Sequence, residues 1–268
     1  MTLLDGPLGT ELLARGVDTP VPLWSAAALE SHPEAVLDIH RDYVAAGAQV
    51  HTANTFRTKR RNHPSWERLA RRAVGLARLA GCRRVAGSIA PLEDCYRPDL
   101  SPPDAYAEHR EVAEVLADAG CDLLLCETFP SPREGLQAVS AAVSTGLPVW
   151  ASFTAGPSGD LLTPAQVADA ARRARDAGAS AVMVNCVPAR LTLDYVRALA
   201  SVGVPFGAYA NAGHVDEKMG WAPHPEAAGL YAEHARSWLN EGATLIGACC
   251  GCGPAHIAAL RDVQRTSD

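Results

Sequence analysis

The chain has 268 residues, 48% of them hydrophobic and 20% charged, and a formal net charge of −6. This composition excludes a disordered or fibrous chain, and the acidic balance argues against nucleic acid as a partner. No apolar run approaches the ~18 residues needed to cross a bilayer, so no membrane association is expected. With no evident signal peptide, the eight cysteines point to reduced thiols or metal ligands in a cytoplasmic protein, not to a disulfide framework.

The opening TLLDG is a short apolar run closed by a turn signal at Asp5-Gly6. Seven further times a helical stretch ends in Gly and an apolar run follows within a few residues. These stops are Gly47, Gly81, Gly120, Gly146, Gly178, Gly203 and Gly242. Glycine just past a helix is the usual left-handed stop, because it has no Cβ to clash. The runs after it suit strands buried on both faces. Three helix starts read as capping boxes with Pro in the first turn: Ser31-His-Pro-Glu34, Ser131-Pro-Arg-Glu134 and Thr163-Pro-Ala-Gln166. In the first of these helices, Val36, Ile39, Tyr43 and Val44 recur at helical spacing.

Eight β-α units with right-handed crossovers predict an α/β fold, a single (β/α)8 TIM barrel. An open doubly wound sheet is the alternative, but no GxGxxG follows the first strand. No linker or composition shift divides the chain, so residues 1–268 are read as one domain.

Active sites of such barrels lie at the C-terminal ends of the strands. The residues ending the eight runs are Asp5, Thr55, Ala90, Glu127, Thr154, Cys186, Asn211, and Cys249 with Cys250. Three thiolates from two strand ends could form three corners of a tetrahedron around Zn2+ and leave the fourth open. For adjacent cysteines to reach one ion the strand must bend, which Gly251 permits. The alternatives are cysteines that pack as small hydrophobes, and a ligand set in which Cys252 replaces one of the three. Cys82 and Cys121 fall at the opposite end of the barrel and read as packing. Cys126 should face away from the mouth, and Cys95 lies in a loop with no assigned role.

The chain resembles the homocysteine S-methyltransferases over nearly its whole length. The resemblance rests on DGPLGTELLARG (5–16), HRDYVAAGAQVHTANTF (40–56), LCETF (125–129), VNC (184–186), YANAG (209–213) and GACCGCGPAHIAAL (247–260). It implies an enzyme that binds homocysteine and a methyl donor and makes methionine. It implies zinc ligation by Cys186, Cys249 and Cys250. Glu127 would bind the substrate ammonium, Asp5 and Gly6 would approach its amino-acid end, Thr55 would add a hydroxyl, and Asn211 would face the same pocket. The short chain is most similar to the branch using S-methylmethionine or S-adenosylmethionine. Phe56, Phe129, Tyr209 and Trp221 are too dispersed to predict an aromatic cage of the kind a quaternary ammonium donor needs.

Three features depart from the family pattern, one of them Cys252, which is no part of the family signature. Ala248 stands where a second glycine is usual, and its methyl is expected to press on the strand or the pocket. Arg57-Thr-Lys-Arg-Arg61 is unusually basic. It is read as a solvated loop, with an electropositive rim for a carboxylate-bearing donor as the alternative. Three competing functions are a non-catalytic zinc-binding or redox-sensing thiol barrel, a methyltransferase using betaine or another donor or thiol, and a metal-dependent hydrolase. The lack of any His-x-His pair argues against the hydrolase. Nothing in the sequence indicates an oligomeric state.

Overall fold

In a computed structural model, which describes residues 1–213, 219, 224 and 226–265, all seven helix-ending glycines adopt positive φ, between 80° and 107°. The run after each becomes a strand. In chain order these are β2 (His51–Thr52), β3 (Val85–Ile89), β4 (Leu123–Phe129), β5 (Val149–Phe153), β6 (Ala181–Pro188), β7 (Phe206–Asn211) and β8 (Leu245–Ala248). β1 (Thr2–Leu3) precedes them.

All pairings are parallel, in the order β1-β8-β7-β6-β5-β4-β3-β2. The two ends of that order meet. Leu4 bridges Val50 in parallel, and the Gln49 and Asp5 amides donate to Leu3 O at 2.8 Å and Val50 O at 3.0 Å. The sheet is therefore closed, and the expected (β/α)8 barrel is the architecture.

Each strand is followed by a helix that covers the outside. Two short helices, α1 (Gly9–Ala14) and α2 (Ala28–Ser31), occupy the long first connection, and α3 (Pro33–Ala46) completes it. The other covering helices are α4 (Trp66–Leu79), α5 (Tyr106–Asp118), α6 (Pro132–Val143), α7 (Pro164–Asp176), α8 (Ala189–Leu199), α9 (Ala227–Asn240) and α10 (Pro254–Arg265). Among the described residues, no helix is long and apolar enough to cross a membrane.

The period of two along each strand separates two cores. Leu123, Leu125, Trp150, Ala181, Met183 and Tyr209 fill the barrel interior. Their alternates Leu124, Cys126, Val182, Val184 and Ala208 face the helices. Cys82 and Cys121 are buried in that outer layer, as expected of packing residues.

Only one of the three capping boxes closes fully. Thr163 accepts from the Gln166 amide while the Gln166 side chain accepts from the Thr163 amide. Ser131 accepts from the Glu134 amide at 3.5 Å, but the Glu134 carboxylate turns to the Leu92 amide, Ser101 and His109. The Ser31 box does not form. His32, at φ −144°, is the N-cap of α3, and Ser31 ends α2 with its hydroxyl donating to Ala27 O.

Candidate active site

At the C-terminal mouth of the barrel, strand ends and β-α loops enclose a cavity of about 400 Å³. Its floor carries Asp5, Gly6, Glu127, Cys186, Cys249 and Cys250. The described chain has three non-glycine residues with positive φ: Trp24 at 48°, Thr128 at 61° and Cys186 at 53°. All three line this cavity. Backbone in that region costs of order 1–3 kcal/mol per residue and persists only where the surroundings enforce it.

For Cys186 the enforcing group is its neighbour. By strand parity Cys186 should face the helices, as Val182 and Val184 do. The β6–β7 register shifts between Asn185 and Pro188, and β4–β5 shifts likewise between Cys126 and Phe129. Such irregularities re-aim side chains. The buried Asn185 carboxamide ties the two together. Its Oδ1 accepts from the Thr128 amide at 3.1 Å and from Ser152 Oγ at 2.7 Å. Its Nδ2 donates to Thr128 Oγ1 at 2.7 Å and lies 3.4 Å from Cys186 Sγ.

Cys249 and Cys250 follow β8. The Cys249 amide remains on the sheet, donating to Ala210 O at 2.8 Å. The chain then turns, with the Cys252 amide donating to Cys249 O at 3.1 Å and Gly251 at φ 81°. This is the bend that two adjacent cysteines need. The thiol sulfurs of Cys186, Cys249 and Cys250 lie within 4.8 Å of one another. Hydrogen bonds from Cys186 and then Cys249 hold the Cys250 thiol well below its ordinary range. Cys252 turns into the outer core, 3% exposed, and is not in the cluster. Ala248 is accommodated, pairing with Ala210 and donating its amide to Asp5 O at 3.2 Å.

Three thiols at this spacing fit a soft divalent metal. In tetrahedral zinc–thiolate geometry, Zn–S bonds of ~2.3 Å set sulfurs ~3.8 Å apart. The donor set is all sulfur, which favours zinc over the hard cations.

Glu127 sits beside the thiols at 8% exposure. Burial pushes its carboxyl up to about 6, opposed by hydrogen bonds from Ser88 and Tyr209 and helped by Cys250. The Tyr209 hydroxyl donates to Oε2 at 3.0 Å, and Ser88 Oγ donates to Oε1. Asp5 accepts the Thr52 amide at 2.9 Å. Its carboxyl is also raised well above the usual range, first by burial and further by Glu127. Gly6 lines the cavity, and Tyr43 behind it leaves no room for a side chain: a Cβ there would lie 2.6 Å from the Tyr43 hydroxyl. Two buried carboxylates with no basic partner among their described contacts make a pocket suited to an ammonium group.

Two expected site residues lie elsewhere. Thr55 is not on the cavity wall. Its hydroxyl is taken up by the Ser88 backbone, accepting from N and donating to O, each at 2.9 Å. The neighbouring Asn54 lines the cavity instead. Asn211 is buried at 2% exposure but is not among the lining residues, and its Oδ1 has no hydrogen-bond partner among the described residues.

Of the upper wall, the sequence pointed only to Phe56 and Arg57. Trp24, Phe56, Arg57, Cys95 and Tyr96 line it. Trp24 and Phe56 meet edge to face at 6.1 Å, and the Arg57 guanidinium lies 5.5 Å from the Phe56 ring centre. With Tyr209 four aromatic side chains line the cavity among the described residues, two of them, Phe56 and Tyr209, named from the sequence. Phe129 faces the outer core, and Trp221 lies outside the described residues. Phe56 and Arg57 carried a usable signal, since they follow β2 directly into a mouth loop. Trp24 did not, because its place depends on how the long first connection folds back.

Residues 2–264 match the family model for homocysteine S-methyltransferase. A homocysteine S-methyltransferase of Escherichia coli is 35% identical, over 97% of this chain and 94% of that protein. Homocysteine S-methyltransferase 4 of Zea mays is 31% identical, over 99% and 90%. Among solved structures, the metallated form of the homocysteine methyltransferase MmuM from Escherichia coli superposes with a TM-score of 0.81 at 30% identity, covering 98% of this chain and 96% of that one.

Proposed function

The chain belongs to the homocysteine S-methyltransferase family, and from that premise we propose that it transfers a methyl group from a sulfonium donor to the thiolate of homocysteine, giving methionine. The observation that carries this reading is the juxtaposition of three thiols within 4.8 Å and a buried carboxylate on one cavity floor. The whole chain then works as one homocysteine-binding unit. A cytoplasmic setting suits it, because the three thiols must stay reduced.

Cys186, Cys249 and Cys250 would hold the zinc, which when bound would lower the pKa of the substrate thiol, so that its proton passes to solvent and the acceptor is a thiolate at neutral pH. Glu127, fixed by Ser88 and Tyr209, binds the homocysteine ammonium. Asp5, whose charged form a bound ammonium favours, lies at the same end, and Gly6 presents its backbone N–H to the substrate carboxylate. The acceptor sulfur forms its bond to the methyl carbon as the donor C–S bond breaks. The bonding pair returns to the donor sulfur, which leaves as a neutral thioether. No protein base is needed at that step, since the thiol proton has already left. The aromatic walls at Trp24, Phe56 and Tyr96 exclude water and favour a cationic donor.

A sulfonium is preferred over glycine betaine because its leaving group is neutral and weakly basic. S-methylmethionine, with S-adenosylmethionine second, is expected to outperform betaine when each is supplied at equal concentration to zinc-loaded enzyme and homocysteine. Faster transfer from betaine would overturn the donor assignment.

A further inference from the structure

Arg57 is the one basic side chain among the described residues lining the cavity, whose other ionisable lining groups are Asp5, Asp94, Glu127, Cys95, Tyr96, Tyr209 and the thiol triad. Its surroundings make its lack of a partner informative. The other cations of the same loop are engaged. Arg60 pairs with Glu111 at 3.0 Å, Arg61 with Glu108 and Glu93, and the buried Lys59 donates to Pro91 O. Arg57 has no carboxylate partner among the described residues, and its Nε is buried without a hydrogen-bond acceptor. Asp94, a further carboxylate on the cavity wall, accepts from the Tyr96 amide at 2.8 Å. A guanidinium held over Phe56, partly desolvated and unpaired, is suited to a carboxylate, which it can meet with two parallel hydrogen bonds.

Resting on the sulfonium-transfer reading above, we infer that Arg57 anchors the α-carboxylate of the methyl donor and so selects an amino-acid sulfonium over a simple one. Both substrates carry an α-carboxylate beside an ammonium, and position decides which carboxylate it meets. The homocysteine carboxylate is fixed next to its ammonium, at Glu127 on the floor. Arg57 lies instead over the Phe56 ring, whose other neighbour is Trp24, on the loop between β2 and α4 and not at a strand end. It therefore belongs to the loop wall of the cavity, beyond the strand-end floor, where the donor must lie for in-line attack.

The test compares wild type and Arg57→Gln with S-methylmethionine and with its decarboxylated analogue, (3-aminopropyl)dimethylsulfonium. Loss of a charge-assisted contact is expected to raise KM for S-methylmethionine about tenfold to a hundredfold. KM for the analogue and for homocysteine should not move, and Arg57→Lys should recover part of the loss. An unchanged preference between the two donors in Arg57→Gln would overturn the inference, as would a rise in the homocysteine KM in place of the donor's. Calorimetric binding of S-methylmethionine to both proteins reads Arg57 independently of turnover. If wild type transfers from neither sulfonium, the donor assignment fails, while weaker binding by Arg57→Gln still supports the carboxylate contact and equal binding overturns it.

Discussion

Glu127 shows how a single residue can be tuned between two demands. Its carboxyl is raised to about 6, chiefly by burial. Below that pH it takes up a proton and loses its attraction for an ammonium. The homocysteine KM should therefore rise as pH falls through about 6, while Glu127→Gln should show a high KM with that dependence removed. The variant's loss, roughly 1.5–3 kcal/mol for a charge-assisted bond, should vanish for 4-mercaptobutyrate, which lacks the amino group. Equal losses for both thiols would place Glu127 in packing instead. Asn185 acts through Cys186, not on substrate. Asn185→Ala strips partners from the Thr128 amide and Ser152 and releases Cys186 from its left-handed conformation. A tenfold to hundredfold fall in zinc affinity, of the size seen for residues supporting metal ligands, is expected in chelator competition. Undiminished affinity would show that the turn of β6 holds Cys186 unaided. Asn185 was legible as the middle of VNC, but its role was not. Strand parity predicts only that it points inward, and the irregularities at β4 and β6 that it bridges have no mark in composition.

The elements most legible in the sequence were those ended by glycine, because the requirement for positive φ is local. Helix starts were less so: His32 replaced Ser31 as the cap of α3 since Pro33 already fixes the first turn. Thr55 sits off the cavity wall for a related reason. β2 keeps its ladder only over His51–Thr52, so the chain past it bends and Thr55 caps the Ser88 backbone. The packing of β2 on α3 also makes an acid-sensitive joint. His40 and His51 meet edge to face at 6.5 Å, both buried, with all four ring nitrogens unpartnered among the described residues. Burial lowers His40 to about 3, with His51 adding, and lowers His51 to about 4. The unfolded chain binds these protons below pH ~6.5 while the folded chain does not, so stability falls as pH drops from there towards 4. Thermal melts of His40→Leu should lose less between pH 6.5 and 4.5 than wild type, and parallel losses would remove this pair from the acid response.

At the scale of the whole molecule, the barrel and the proposed metal site are separable. The two apolar cores lie between strands and helices and inside the strand ring, and neither depends on the thiol cluster except at its edge. Stripping zinc with a chelator should therefore leave far-UV circular dichroism in place and lower Tm only by the free energy of ligand linkage. Cooperative loss of secondary structure on chelation would contradict that separation. The closure of the barrel explains why residues from β1, β4, β6 and β8, 245 positions apart in sequence at the extremes, share one cavity floor. It also explains why Trp24 and Tyr96 were not foreseen beside Phe56 and Arg57: loops are placed by the scaffold, and their own patterns do not encode where they meet. The most direct test supplies zinc-loaded enzyme with 13C-labelled homocysteine and S-methylmethionine carrying deuterated methyl groups. The account predicts methionine bearing both labels, formed by wild type and abolished in Cys186→Ala. No doubly labelled methionine from enzyme holding one zinc per chain, or undiminished formation by Cys186→Ala, would contradict it.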